Sequence, residues 1–199
     1  MKKALFTAIA IIVTAASQAS ITIATFADPA PNGGTPLFTW DQGAGTLGGT
    51  WTGSGLTLLT PGFTGGGSTA DTHFVMSNVT LSPIVNNVLY SMSAGTVKFY
   101  TTDVNTPFFT ITFDGGLFQN PFNVGASTLI GNTVDFAGTN VPTTTNEQFS
   151  FGFANAQQVG NTVTYTASFT SSADVVPEPV SLIVLASGLV AVAARRRKV

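Results

Sequence analysis

The chain has 199 residues, no cysteine and a formal net charge of −2, so disulfide frameworks, thiolate zinc sites and cysteine nucleophiles are excluded. Of its seven basic residues, only Lys98 lies in the body of the chain, residues 20–175, where eight carboxylates bring the net charge to −7. A body with a single cation cannot neutralise a row of phosphates, which excludes nucleic-acid binding and direct attraction to an anionic membrane surface.

Residues 1–19 are predicted to be a helical, cleavable signal peptide. Lys2 and Lys3 supply the positive start, and Ala4–Ala16 is an uncharged apolar run of 13 residues. A membrane-spanning helix needs about 20 such residues, so the run favours a signal sequence over a permanent anchor. Small residues precede the junction after Ala19, where we expect signal peptidase to cut. The body should therefore be exported.

The body, residues 20–175, is rich in Gly, Pro, Thr, Val and Phe, which favours short strands over helices. We expect an all-β fold with a single β-sandwich or jelly-roll-like domain, whose size allows a full core without disulfides. The clearest early strand-like runs are Ile21–Phe26, Leu56–Thr60, His73–Thr80, Thr96–Thr102 and Phe108–Phe113.

Residues 28–70 contain three glycine clusters and are interpreted as long surface loops around short edge strands. Trp40 and Trp51 lie within them. If exposed, these two rings are candidates for stacking on a sugar ligand, although aromatic residues in sheets more often fill the core.

His73 is the only histidine of the chain and lies two residues after Asp71. On a strand the two side chains would share one face. A hydrolase triad also needs a nucleophilic serine, and no Gly-x-Ser-x-Gly turn is present. We therefore assign no catalytic residue and expect an exposed or capped histidine on a sheet.

Two further segments have ambiguous patterns. Apolar residues from Ser82 to Gly95 recur at helical spacing but include many β-branched residues, so a short helix and a strand are equally favoured. Asp114-Gly115-Gly116 is a typical turn sequence and is predicted to end the strand before it.

The clearest hairpin lies near the end of the body. Phe149, Phe151 and Phe153 alternate with small residues, and after a loop at 155–161 the apolar positions of 163–169 alternate with Ser and Thr. The polar positions include a threonine row, Thr162, Thr164 and Thr166. Ice binding needs several such rows side by side, so this single row favours ordinary sheet.

The carboxylates of the body form no recognisable catalytic or metal-binding pattern. Asp28, Asp41, Asp114 and Asp135 lie near Gly, Pro or Asn, where aspartate commonly stabilises turns. A glycosidase needs two facing carboxyl groups, and a Ca²⁺ loop needs closely spaced oxygen ligands. We expect no metal and no cofactor, with Ca²⁺ bound by loop oxygens as the remaining alternative.

The C-terminal 24 residues, 176–199, have three parts. Val176-Pro177-Glu178-Pro179 cannot continue a strand, because two prolines remove backbone donors. An uncharged apolar run, residues 180–194, is predicted to form a transmembrane helix. The chain then closes with the basic residues Arg195, Arg196, Arg197 and Lys198, which should stay cytoplasmic and leave the body outside.

This combination resembles the PEP-CTERM sorting signal of exported proteins from Gram-negative bacteria that make extracellular polysaccharide. The resemblance covers Val176 to Lys198 and is silent on the body. It implies recognition by a membrane-embedded cysteine protease, an exosortase, which cuts near Pro177-Glu178-Pro179. It also implies a role in a biofilm or exopolysaccharide matrix.

The sequence therefore predicts a non-enzymatic structural or adhesive protein of the cell surface or extracellular matrix. Signal peptidase and exosortase would process it while its tail holds it at the inner membrane with the body in the periplasm. Extracellular polysaccharide is a candidate partner. The alternatives are a carbohydrate-binding module and, less favoured, a secreted glycoside-acting hydrolase or an ice-binding protein.

Overall fold

A computed structural model describes residues 20–29, 35–85, 88–120 and 127–176. The proposed signal peptide, the Pro-Glu-Pro motif and the transmembrane helix at 180–194 lie outside these ranges, as does most of the tail. Within the described ranges no helix is long and apolar enough to cross a membrane. Residues Ser20–Asp174 form one compact unit.

The regular structure of the described residues consists of eleven β-strands, so the predicted all-β class is confirmed. The strands are β1 Ser20–Phe26, β2 Phe38–Asp41, β3 Thr46–Trp51, β4 Leu58–Leu59, β5 Ser68–Thr69, β6 His73–Val85, β7 Leu89–Tyr100, β8 Phe109–Gln119, β9 Ser127–Gly138, β10 Thr144–Val159 and β11 Thr162–Val175. The early strand-like runs in the sequence fall on β1, β4, β6, β7 and β8.

Eight of these strands close into an antiparallel barrel, in the order β10-β9-β8-β7-β6-β3-β2-β11, with β11 pairing again with β10. The predicted arrangement as a two-sheet sandwich or jelly roll is therefore corrected to one closed barrel. Closure depends on β11, whose first residues pair with β2 through Val163 and Trp40 while its other edge pairs with β10. In a closed ring each strand pairs with a neighbour on both sides, so none of these eight strands is an edge strand.

Three short strands branch from the barrel. The second half of β11 pairs with β1, from Phe169 with Phe26 to Asp174 with Ser20. β1 in turn pairs with β4 and β4 with β5. A bulge in β1 between Thr22 and Ala24 is held by Ser171, whose hydroxyl accepts from the Ala24 amide and donates to the Ala24 carbonyl, both at 3.1 Å.

Aromatic rings fill the barrel interior. The Phe151 ring lies between 4.8 and 6.5 Å, centroid to centroid, from six other phenylalanine rings, namely Phe26, Phe38, Phe74, Phe149, Phe153 and Phe169. These rings come from β1, β2, β6, β10 and β11, so strands distant in the sequence share one core. An eight-stranded barrel is just wide enough for side chains to fill.

The predicted hairpin near the end of the body is confirmed, with longer strands than expected. Phe149, Phe151 and Phe153 all point inward, as the period of two requires. The predicted loop at 155–161 is instead strand up to Val159, followed by a turn at Gly160, which has a φ of +60°. Asn155 has a positive φ of +52°, and the residues of β10 from Ala154 to Val159 are all exposed.

Three other segments differ from their sequence interpretation. The 82–95 segment is strand on both sides of a hairpin, with Ser82 paired to Ser91. Asp114-Gly115-Gly116 lies inside β8, because the chain continues to Gln119 paired along β9. Residues 28–70 include β2 and β3, which are members of the closed ring and not edge strands.

Candidate functional site

Trp40 and Trp51 do not form the exposed stacking surface that the sequence suggested. Trp40 is 3% exposed and packs edge-on against Tyr90 and Phe118, with centroids 5.1 and 5.4 Å apart. Trp51 is 8% exposed and packs against Gly53. Both rings point inward because they occupy inward positions of β2 and β3. Trp40 also lines, with Tyr90 and Pro83, a cleft of about 390 Å³ at the end of the barrel where β7 begins.

Asp71 and His73 do not share a strand face. Asp71 lies in a turn before β6 with a φ of +47°, and its carboxylate accepts a hydrogen bond of 3.0 Å from the Gly55 amide. His73 opens β6 half-buried beside Tyr100, with ring centroids 5.5 Å apart. The Asp71 carboxylate thus ties two loops together and does not orient the imidazole.

Several carboxylates stabilise local structure. Asp41 accepts from the Ala44 amide at 2.9 Å across the β2–β3 turn, which confirms its interpretation as a turn residue. Asp103 does the same for the Asn105 amide at 2.9 Å. Asp114 and Asp135 instead lie exposed on the outer face of β8 and β9, which corrects their assignment to turns.

Across the described ranges no three His, Asp or Glu side chains come close enough together to hold a metal ion.

The threonine row of β11 is not a flat exposed plane. Thr166 is buried, and its hydroxyl accepts from the Asn155 side-chain amide at 2.9 Å. Thr162 and Thr164 are half-buried and pair with Asp41 and Thr39 of β2. The row is therefore part of ordinary sheet packing.

A cleft of about 360 Å³ lies at the end of the barrel where β7 and β9 end and β8 begins. We call it the Phe63 cleft. The residues that define it here are Phe63, Thr64, Thr101, Phe108, Thr139 and Asn140, together with the glycine-containing loop before β5. Its volume lies within the usual range for small-molecule sites, about 300–1,000 Å³.

Backbone hydrogen bonds hold the walls of the cleft in place. The Thr64 amide donates to the Asn140 carbonyl at 2.7 Å, which joins the loop before β5 to the turn after β9. The Thr139 amide donates to the Phe108 carbonyl at 3.0 Å. The Phe63 ring packs edge-on against Phe109 of the core, with centroids 5.3 Å apart. The cleft is therefore anchored to the barrel.

Glycines allow the loop beside the cleft to turn back on itself. Gly65, Gly66 and Gly67 have φ values of +93°, +57° and +146°, a region that L side chains rarely adopt. The Gly66 amide donates to the Phe63 carbonyl at 2.8 Å, which closes the turn. In the sequence these glycines indicate only a flexible turn, and nothing there places them beside Thr101 or Thr139.

A second groove of about 590 Å³ crosses the outer face of β2, β3 and β6. Thr39, Thr46, Thr50, Asp41 and Asn78 contribute its polar side chains. It contains a carboxylate and no aromatic ring, so its chemistry differs from that of the Phe63 cleft.

No known family model matches the chain, and no curated protein or solved structure is detectably similar to it.

Proposed function

We propose that this chain is an exported structural or adhesive protein of the cell surface or extracellular matrix. It is made with a signal peptide, held at the inner membrane by residues 180–194 with its body in the periplasm, and processed by an exosortase near Pro177-Glu178-Pro179. The body then reaches the cell surface or the matrix without acting as an enzyme. The tail is a substrate, in which the basic residues after position 194 set depth and orientation.

The observation that carries the role of the body is its filled interior. The central rings of the barrel, such as Phe74, Phe99 and Phe151, are fully buried. Because aromatic side chains fill the interior, the barrel interacts with partners through its outer surface and its ends. A closed ring of paired strands also resists edge-to-edge aggregation, which suits a protein exported to the cell surface.

The carboxylates support a non-enzymatic role. Glycoside hydrolysis needs two carboxyl groups on either side of one sugar bond. Asp41, Asp71 and Asp103 each accept a backbone amide in a different turn, so they are occupied in holding loops. The hydrolase alternative thus has no supporting geometry among these three.

Intact-mass analysis of the mature protein from its native host tests the proposal. We expect the loss of about 19 N-terminal and about 20 C-terminal residues, according to the signal-peptide and spanning-segment arguments. Replacing Arg195–Arg197 with Ser should reduce retention in the inner membrane and slow C-terminal processing. Lys98→Ser, which removes a cation from the body, is the matched control. An untrimmed C-terminus on a cytosolic protein would contradict the proposal.

A further inference from the structure

We propose that the Phe63 cleft binds a neutral saccharide segment of a polysaccharide. This binding site lies on the body alone, so it does not depend on whether the tail is processed. It also differs from the stacking site suggested by the sequence, since it uses neither Trp40 nor Trp51.

The first argument is the pairing of apolar and polar groups in the cleft. Phe63 and Phe108 are half-buried and line the cleft, and the Phe63 ring packs on Phe109 of the core. A sugar ring has an apolar face of C–H groups and a rim of hydroxyls. Partly exposed aromatic rings can pack against the C–H face of a sugar, because they offer an apolar surface at a fixed orientation.

The second argument is the supply of free hydrogen-bonding groups. Thr64, Thr101 and Thr139 are exposed, and Asn140 lies beside them. No hydrogen bond engages the side chains of these four residues in the part of the chain that the structure describes. A threonine hydroxyl donates one hydrogen bond and accepts others, and an amide does both, so together they match the alternating donors and acceptors of sugar hydroxyls.

The third argument is charge. The cleft is lined by Thr, Ser, Gly, Phe and Asn, with no charged side chain. Asp103, which follows shortly after Thr101, is held by the Asn105 amide in its own turn. An anionic uronic acid would find no cation here, and the net charge of −7 on the body would repel it. The ligand class is therefore neutral.

The fourth argument is preorganisation. The cleft walls are joined by the Thr64–Asn140 and Thr139–Phe108 backbone hydrogen bonds, and Phe63 is anchored on Phe109. Binding would therefore order little additional chain, and a small number of hydrogen bonds and ring contacts can produce measurable affinity. A long polymer could occupy the cleft with one segment, because the cleft is open at the barrel end.

Affinity gel electrophoresis of the full-length chain in a zwitterionic detergent without a sugar headgroup tests the proposal. Dextran, laminarin and galactomannan are the neutral probes and alginate is the anionic one. We expect at least one neutral probe to retard the chain and alginate to have no effect. A chain that no neutral probe retards, or that alginate retards more strongly, would overturn the proposal.

Two variants locate the binding. The triple variant Thr64→Val, Thr101→Val and Thr139→Val should weaken binding about tenfold or more, since each change removes one hydroxyl without altering size. Thr101→Arg, a single exposed change that blocks the cleft with a long side chain, should abolish retardation and serves if the triple variant unfolds.

The matched control makes the same chemical change in the groove that lacks aromatic rings, Thr39→Val, Thr46→Val and Thr50→Val. It should bind as the unaltered chain does. Equal loss in both triple variants, or wild-type binding by Thr101→Arg, would place the binding elsewhere and refute the assignment to the Phe63 cleft.

Discussion

Tyr165 gives the sharpest test of how the barrel core is built. It is 1% exposed, and its ring packs against Phe153 and Phe118 with centroids 5.2 and 6.3 Å away. Its hydroxyl is buried and has no hydrogen-bond partner among the described residues. A buried polar group without a partner lowers the free energy of unfolding by about 1–3 kcal/mol. Tyr165→Phe keeps the ring and removes that group.

We therefore expect Tyr165→Phe to raise the free energy of unfolding by about 1 kcal/mol or more. For a body of this size, each 1 kcal/mol corresponds to a rise of about 2–4 °C in Tm. This outcome is unusual for a core substitution, since most of them are destabilising.

The same substitution should change the response to alkali. Burial raises the pKa of the Tyr165 phenol well above its ordinary value, and the nearby Tyr90 phenol adds to this. Above the ordinary tyrosine pKa of about 10, the unfolded chain releases this proton while the folded chain keeps it. The folded state then binds more protons, so the free energy of unfolding falls as pH rises. Below about pH 10 the Tyr165 phenol causes no such fall in the free energy of unfolding. Above that pH, the free energy of unfolding of Tyr165→Phe should fall less steeply than that of the unaltered chain.

Urea unfolding of the full-length chain, followed by tryptophan fluorescence at neutral pH and in steps above pH 10, measures both effects. Tyr90→Phe is the matched control, because Tyr90 lines with Trp40 the cleft at the end of the barrel where β7 begins. It should leave stability at neutral pH within about 0.5 kcal/mol of the unaltered chain. If Tyr165→Phe instead lowered stability by more than about 0.5 kcal/mol, the hydroxyl would have a partner and the reasoning would fail.

Three further outcomes are expected. Gly49→Ala should lower the free energy of unfolding by about 1–3 kcal/mol in urea unfolding, because its methyl group would strike the packed Phe38 ring. Gly48→Ala is the control, since it displaces only the exposed, flexible Asn78 side chain. Equal effects of the two changes would contradict the close packing at Gly49. Ser171→Ala should cost about 1–3 kcal/mol in the same assay, since it leaves two buried backbone groups of the β1 bulge unpaired; Ser172→Ala is the control, and a neutral Ser171→Ala would mean that the bulge relaxes. In cell fractionation, the Arg195–Arg197→Ser chain should be depleted from the inner membrane, and unchanged retention would contradict the anchoring role.

The alternation of ring positions was readable from the sequence because it depends only on the local period of a strand. Phe149, Phe151 and Phe153 had to share a face once the segment became strand, and that face had to be buried. The same reasoning cannot distinguish a sandwich from a barrel, since both bury one face of each strand. Barrel closure depends on the pairing of Val163 with Trp40, which are distant in the sequence.

Glycine misled the sequence interpretation in two ways. Gly116 suggests a turn, yet a Cβ at this position would strike the Ile130 carbonyl on the adjoining strand, so the glycine permits close strand approach. Gly48 and Gly49 suggested surface loop, although Gly49 makes room for the Phe38 ring inside the barrel. A missing side chain serves tight turns and tight packing equally well, and only the three-dimensional neighbours distinguish the two.

The Phe63 cleft was beyond sequence reasoning for a related reason. Its hydroxyl-bearing residues come from three connections, around positions 64, 101 and 139, that are brought together only by the strand order. Each is an unremarkable threonine in its own segment. The buried tryptophans show the converse, since the residue type suggested a ligand surface while the register of β2 and β3 turned both rings inward.

The pairing of Ser20 with Asp174 also determines how the body responds to mechanical load. Opposed tension on these two residues would separate β1 from β11 rung by rung, like a zipper, so each hydrogen bond would bear the force in turn. Tension between Asp174 and the distant turn at Gly160 would instead run along β11, where the rungs share the load in shear. A body that is held in a matrix at its C-terminal side and pulled at the Gly160 turn would therefore be loaded in shear, the direction in which the barrel is stronger.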